Sequence, residues 1–175
     1  MRHPILLIPG LSNSGPGHWQ SLWEASLSNI SRVQMPNWDF PHRPHWVEAL
    51  DGAIRKANEE APPILVAHSL GCITVAHWAA ANLRPVHAAL LVAPSDVERF
   101  PDQFPSFIPI PLRILPFRTR VVASSDDPFV TLDRAQAFAD AWGSQFTDLG
   151  PRGHINTASG FGPWARGEGF LEELG

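Results

Sequence analysis

Ser69 lies in the string Val-Ala-His-Ser-Leu-Gly, directly after the apolar run Pro62–Ala67 and directly before a helix-like segment that begins at Leu70. A serine placed where a buried strand turns sharply into a helix has its hydroxyl exposed above the sheet, and the helix N-terminus leaves behind it. The turn brings backbone segments close together, so small residues belong two positions before and after the serine. Ala67 and Gly71 occupy them. Glycine is the usual residue at the first of these positions, and the alanine methyl is the mildest departure from it.

A serine hydroxyl is a poor nucleophile at neutral pH and needs a base within hydrogen-bond reach. That base must be held in one tautomer, normally by a carboxylate. In this strand–turn–helix architecture the partners follow in the order serine, acid, histidine, from loops after later strands. The run Arg120–Ser124 ends in Ser-Asp-Asp-Pro-Phe-Val, which places Asp126 and Asp127 at a strand's carboxyl end, where open α/β sheets put their sites. A later strand-like segment ends in Leu-Gly-Pro-Arg-Gly-His, which places His154 in a glycine-flanked loop. The expected set is Ser69, Asp127 and His154. Asp127 is preferred because it is followed by Pro128 and Val130 at the start of the next helical segment; Asp126 suits a turn or cap that accepts backbone N–H groups. Acyl chemistry also needs two N–H donors for a developing oxyanion. Leu70, at a helix N-terminus, supplies one. The other comes from the Gly10-containing loop after the first strand, with Leu11 the first choice and Ser12 the second.

Of the other histidines in a total of eight, His68 is expected to point away from Ser69 in a structural, hydrogen-bonded role, and His18 to begin a helix. His42 and His45, with Asp39, sit in a proline-flanked loop whose spacing does not make a metal set. Neither a metal nor an organic cofactor is expected.

The elements that must position these groups are legible as alternating strand-like and helix-like runs. Strands are expected at His3–Ile8, around Val33 and Met35, and at Ile64–Ala67, Ala88–Ala93, Arg120–Ser124 and Gln145–Leu149, the last at an edge. Helices are expected at Gly15–Ser28, Trp46–Asn58, Leu70–Leu83, Leu132–Trp142 and Gly169–Leu174. Alternation of this kind specifies a mostly parallel sheet with crossover helices, a single-domain three-layer α/β/α sandwich spanning residues 1–175. Between Pro94 and Phe117, prolines 94, 101, 105, 109, 111 and 116 forbid long helices and central strands. Phe100, Phe104, Phe107 and Phe117 in the same interval need something to pack against, which suggests a flap over the strand ends. Ser12, Trp38 and Phe107 are expected to wall a substrate pocket with Leu11.

The 175 residues carry 44% hydrophobic and 17% charged side chains, which excludes a disordered chain. A net charge of −4 offers no basic field for nucleic acid. No apolar stretch approaches the about 18 residues of a membrane span. The single cysteine, Cys72, reads as a small buried hydrophobe, and together with the absence of a leader pattern it suggests a cytoplasmic protein. Nothing in the sequence specifies an interface, so a monomer or a weak homodimer is expected.

Taken together, Leu-Leu-Ile-Pro-Gly at the start, Trp38–Pro41, Val66–Gly71, Ser124–Val130 and the closing string Gly153–Gly167 resemble the small α/β-hydrolases of the YdeN type, which include human retinoblastoma-binding protein nine. The resemblance spans nearly the whole chain. It implies a minimal hydrolase fold without a cap domain, a serine hydrolase or esterase, and a triad on Ser69, Asp127 and His154, but no substrate. From the residues themselves, cleavage of a small-molecule ester (less readily an amide) through an acyl-enzyme is expected. A non-catalytic scaffold, an acyltransferase and a C–C hydrolase are alternatives using the same residues. The human relative is associated with retinoblastoma protein through an L-x-C-x-E motif. The corresponding Leu70–Thr74 segment here lacks the glutamate, so no such partner is expected.

Overall fold

The computed structural model describes residues 3–81 and 84–175. Among these residues six strands form one sheet: β1 (Ile5–Ile8), β2 (Ile30–Arg32), β3 (Ile64–His68), β4 (Ala88–Val92), β5 (Arg118–Ala123) and β6 (Gln145–Asp148). Their order is β2-β1-β3-β4-β5-β6, and every neighbouring pair is parallel. Among the described residues five α-helices connect or follow them: α1 (Trp19–Ser26), α2 (Arg43–Ala57), α3 (Leu70–Ala81), α4 (Leu132–Trp142) and α5 (Ala165–Glu172).

Side chains alternate along each strand and so feed two cores. Ile5 and Leu7 face a cluster with Trp19, Trp23, Trp164 and Leu171 from α1, the C-terminal segment and α5. Leu6 and Ile8 face the opposite cluster, with Trp46, Leu50, Ile73 and Phe138 from α2, α3 and α4. This division follows from the handedness of parallel crossovers. The step from β1 to β2 runs toward one edge, and all later steps run toward the other, so α1 lies on the face opposite to α2, α3 and α4. The chain therefore reverses direction between β1 and β3, and the loops leaving these two strands diverge over a crevice at their carboxyl ends. That crevice lies between Gly10 and Ser69.

Helix α3 is apolar on all sides, and Leu70–Ala79 are buried between the sheet and α2. The Pro94–Phe117 interval forms short 3-10 turns at Val97–Arg99 and Pro105–Phe107, tied down by His77 Nε2 donating to the Phe107 carbonyl (2.8 Å) and by Trp142 Nε1 donating to the Pro111 carbonyl (2.9 Å). It packs on α2, α3 and α4, and its Phe100–Phe104 stretch reaches the strand ends.

Element order agrees with the sequence reading; several boundaries differ. The second strand is Ile30–Arg32, upstream of Val33 and Met35. Those two side chains are buried as their alternation implies, but burial does not require membership of a ladder. Helix α1 starts at Trp19 because Gly15–Gly17 form a turn, and His18 caps the helix with Nδ1 accepting from the Gln20 N–H. Helix α2 starts at Arg43, earlier than Trp46, with proline in its first turn. Helix α5 starts at Ala165, before Gly169: glycines lower helix propensity, but a Cβ at Gly167 would run into the Trp164 ring. The last two residues of the expected Leu70–Leu83 helix, Asn82 and Leu83, lie outside the described residues. No helix among the described residues is long and apolar enough to cross a membrane.

Candidate active site

Strand β3 delivers Ser69 through a turn that only small neighbours allow. Ser69 has φ of 56°, in the left-handed region that costs a non-glycine residue about 1–3 kcal/mol. Its N–H is secured to the Val92 carbonyl of the next strand at 3.0 Å. A Cβ at Gly71 would overlap the Ile8 carbonyl oxygen and lie 2.8 Å from that of Pro9, so α3 docks directly on the end of β1. A Cβ at Gly10 would lie 2.8 Å from the Ser69 Cβ and 3.2 Å from its Oγ. The first loop is thus pressed against the serine. Ala67 is fully buried, and its methyl is accommodated.

Ser69 Oγ lies 2.8 Å from His154 Nε2. On the other side of the imidazole, Nδ1 lies 2.8 Å and 3.0 Å from the two carboxylate oxygens of Asp127. Asp127 Oδ1 also accepts the Phe129 N–H at 2.9 Å, which holds the carboxylate in place. With the Nδ1–H facing a carboxylate, the neutral ring presents Nε2 as an acceptor to the serine O–H. Asp126 turns the other way. Its Oδ1 accepts from Ser124 Oγ (2.7 Å) and from the Gly153 N–H (2.6 Å), and these bonds hold its carboxyl below the usual range. In doing so it ties the loop after β5 to the loop that carries His154. The backbone at Ile155, with φ of 49°, supplies the second sharp turn.

A cavity of about 230 Å³ opens over Ser69, lined among others by Leu11, Ser95, Phe100, Phe104 and Phe129, and His154 forms part of its wall. Among the described residues, none of its lining side chains is Lys, Arg, Asp or Glu. Phe129 stands edge-on to the His154 ring at 4.6 Å. His68 is buried beneath, with Nε2 donating to the His154 carbonyl at 2.9 Å. Burial, then the neighbouring His154 and His18, drive its pKa well below the ordinary imidazole value. The ring of His18 packs at 4.9 Å from His68, and its pKa is pushed down to about 4 by burial, then by Arg32 and His154.

Two backbone donors border the serine. Leu70 begins α3, and Leu11 lines the cavity. The Ser12 N–H is taken by the Trp38 carbonyl at 2.9 Å, whereas among the described residues no backbone carbonyl of the turn accepts from Leu11.

Three expected wall residues fall elsewhere. Ser12 turns its hydroxyl to Asp39 (2.8 Å). Trp38 packs against Trp46. Phe107 is fully buried between Trp46 and His77, beneath the loop rather than facing the cavity. The sequence reading missed Ser95 and Phe129. Both carried a usable signal, since each stands just past a strand's carboxyl end. Among the described residues no group of three or more His, Cys, Asp and Glu is arranged to hold a metal ion. The His42 and His45 rings lie 4.6 Å apart, tilted by 59° to each other.

A family model described as serine hydrolase matches residues 5–173. The chain belongs to the serine hydrolase family. Among solved structures, it is similar to a protein described as a YdeN-like hydrolase from Pectobacterium atrosepticum, with 33% identity over 99% of this chain and 90% of that one and a TM-score of 0.88. The ydeN gene product of B. subtilis shares 20% identity over 98% of both chains, with a TM-score of 0.79. Est1E from Butyrivibrio proteoclasticus shares the fold at 12% identity over 99% of this chain and 89% of that one, with a TM-score of 0.73. No curated protein matches the sequence significantly. The serine hydrolase has the α/β-hydrolase fold and a hydrolytic role.

Proposed function

We propose that this serine hydrolase cleaves a small, uncharged carboxylic ester through an acyl-enzyme, with Ser69, His154 and Asp127 as its triad. The observation that carries this reading is the unbroken hydrogen-bond chain from Ser69 Oγ through both ring nitrogens of His154 to Asp127, beside the cavity. Ser69 Oγ attacks the ester carbonyl while His154 Nε2 takes its proton. The carbonyl π electrons move to oxygen, which the N–H groups of Leu70 and Leu11 receive at the α3 N-terminus. The intermediate collapses, and the imidazolium gives its proton to the leaving alkoxide. Water, deprotonated by the same nitrogen, then attacks the acyl-enzyme, and the second intermediate collapses to the acid as the imidazolium returns its proton to the departing Ser69 Oγ. Asp127 keeps its charge throughout, holds the ring in one tautomer and stabilises the imidazolium.

The uncharged lining supports a neutral substrate, because a charged acyl group would lose its hydration without gaining a partner. The volume and the Phe100, Phe104 and Phe129 rings support a short acyl chain. Hydrolysis of p-nitrophenyl acetate, butyrate and octanoate tests the reading. Rates should fall sharply by octanoate; rates independent of chain length, or no hydrolysis of any ester, would overturn it.

A further inference from the structure

Ser69 Oγ has a second partner that no step of the proposed cycle uses. Ser95 Oγ lies 2.8 Å from it. The direction of this bond follows from counting protons, given the triad assignment on which the inference rests. Asp127 receives the Nδ1–H of His154, so Nε2 is bare and receives the Ser69 proton. Ser69 then has no proton left to give, and Ser95 must be the donor.

The backbone around Ser95 is held so that this donor is in place before substrate arrives. Ala93 has φ of 49°, which bends the chain sharply as it leaves β4, and its N–H is bonded to Val122 at 2.8 Å. The next residue after Ser95, Asp96, gives its N–H to the Phe129 carbonyl at 3.0 Å. That carbonyl belongs to the same loop that carries Asp127. Ser95 is buried, lines the cavity, and has Ser69 as its hydrogen-bond partner.

We propose that Ser95 is a positioning residue for the nucleophile. Its hydroxyl donates to one lone pair of Ser69 Oγ and thereby fixes the Ser69 rotor with its proton aimed at His154. Ser95 keeps its own proton throughout. Its influence falls on acylation and on the final release of Ser69, and is absent from the attack of water, because in the acyl-enzyme Ser69 Oγ is an ester oxygen and a poor acceptor. The device therefore distinguishes the two half-reactions, which general damage to the site would not.

The test compares Ser95→Ala and Ser95→Thr with the wild-type enzyme in two measurements: the rate of labelling by a fluorophosphonate, and the burst and steady-state phases with p-nitrophenyl acetate. Losing one neutral hydrogen bond in the acylation step should slow labelling and the burst by about tenfold in Ser95→Ala. Deacylation, limited by the attack of water, and the substrate dissociation constant should be unchanged, so KM rises as acylation slows, and threonine, which keeps the hydroxyl, should restore acylation to within about threefold of wild type. Should the alanine variant fail to fold, Ser95→Cys, a weaker donor of similar shape, replaces it and should be intermediate between threonine and a Ser69→Ala blank. Wild-type labelling rates in Ser95→Ala overturn the proposal. So does equal slowing of acylation and deacylation, or a threonine variant as slow as alanine. Labelling that persists in Ser69→Ala would instead overturn the triad reading itself.

Discussion

Acid should weaken this fold through His18, and the size of the effect follows from where the ring sits. The residue is 5% exposed, packed against Trp19 and His68, with Nδ1 occupied as the acceptor that caps α1. Burial, helped by Arg32 and His154, pushes its pKa down to about 4, against about 6.5 in an unfolded chain. Between these values the unfolded chain binds a proton that the folded chain refuses, so stability falls as pH drops through that window. At pH 5 the unfolded ring is almost fully protonated and the folded one is not, which amounts to about 2 kcal/mol lost relative to pH 7. His68 and His77 are pushed in the same direction, burial being the largest cause for each. The depressed carboxyls of Asp51 and Asp126 lose their contribution only at lower pH, below the ordinary aspartate value. Urea unfolding at pH 7, 6 and 5 on wild type and His18→Asn isolates the ring, because asparagine can still cap the helix but does not titrate. The variant should show a slope shallower by about 2 kcal/mol over that range. Parallel stability–pH curves for the two proteins would refute the reasoning.

Gly71→Ala should destabilise the fold by about 3 kcal/mol or more, read as a lower urea midpoint, because the clash is with backbone oxygens that cannot move aside. A wild-type midpoint would mean that α3 does not dock as described. Ser69→Ala and His154→Ala should each reduce kcat by about four orders of magnitude or more, and the double variant should fall no further. Asp127→Asn should retain more activity than either, measured with the same p-nitrophenyl ester. Phe104→Leu should raise the octanoate-to-acetate rate ratio by about threefold, since it shortens a side chain that lines the cavity. An unchanged ratio would show that Phe104 does not bound the acyl chain.

Much of the framework was legible because it rests on local pattern. Ile64–Ala67 followed by His-Ser-Leu-Gly specifies a strand, a sharp turn and a helix within a few residues, and the structure has all three. The carboxyl ends of β5 and β6 could be placed in the same way, so the residues that meet at Ser69 were visible although they are distant in sequence. Which side chain faces the cavity was not visible. Phe100, Phe104 and Phe107 read alike, yet a one-turn difference in a proline-rich loop places the first two beside the cavity and Phe107 under it. Ser12 has φ of 59°, which turns it out of the crevice toward Asp39. The position of Ser95 past the end of β4 was legible, but its bond to Ser69 crosses between neighbouring strands and depends on the bend at Ala93. No spacing rule encodes such a bond.

The central claim is that convergence of three side chains makes one hydroxyl a nucleophile. Mass spectrometry of the protein after reaction with a fluorophosphonate, with peptide mapping of the adduct, tests it directly. A single phosphonyl group on the peptide containing Ser69, abolished in His154→Ala, is the predicted result. An unmodified Ser69, or an adduct on another residue, would contradict it.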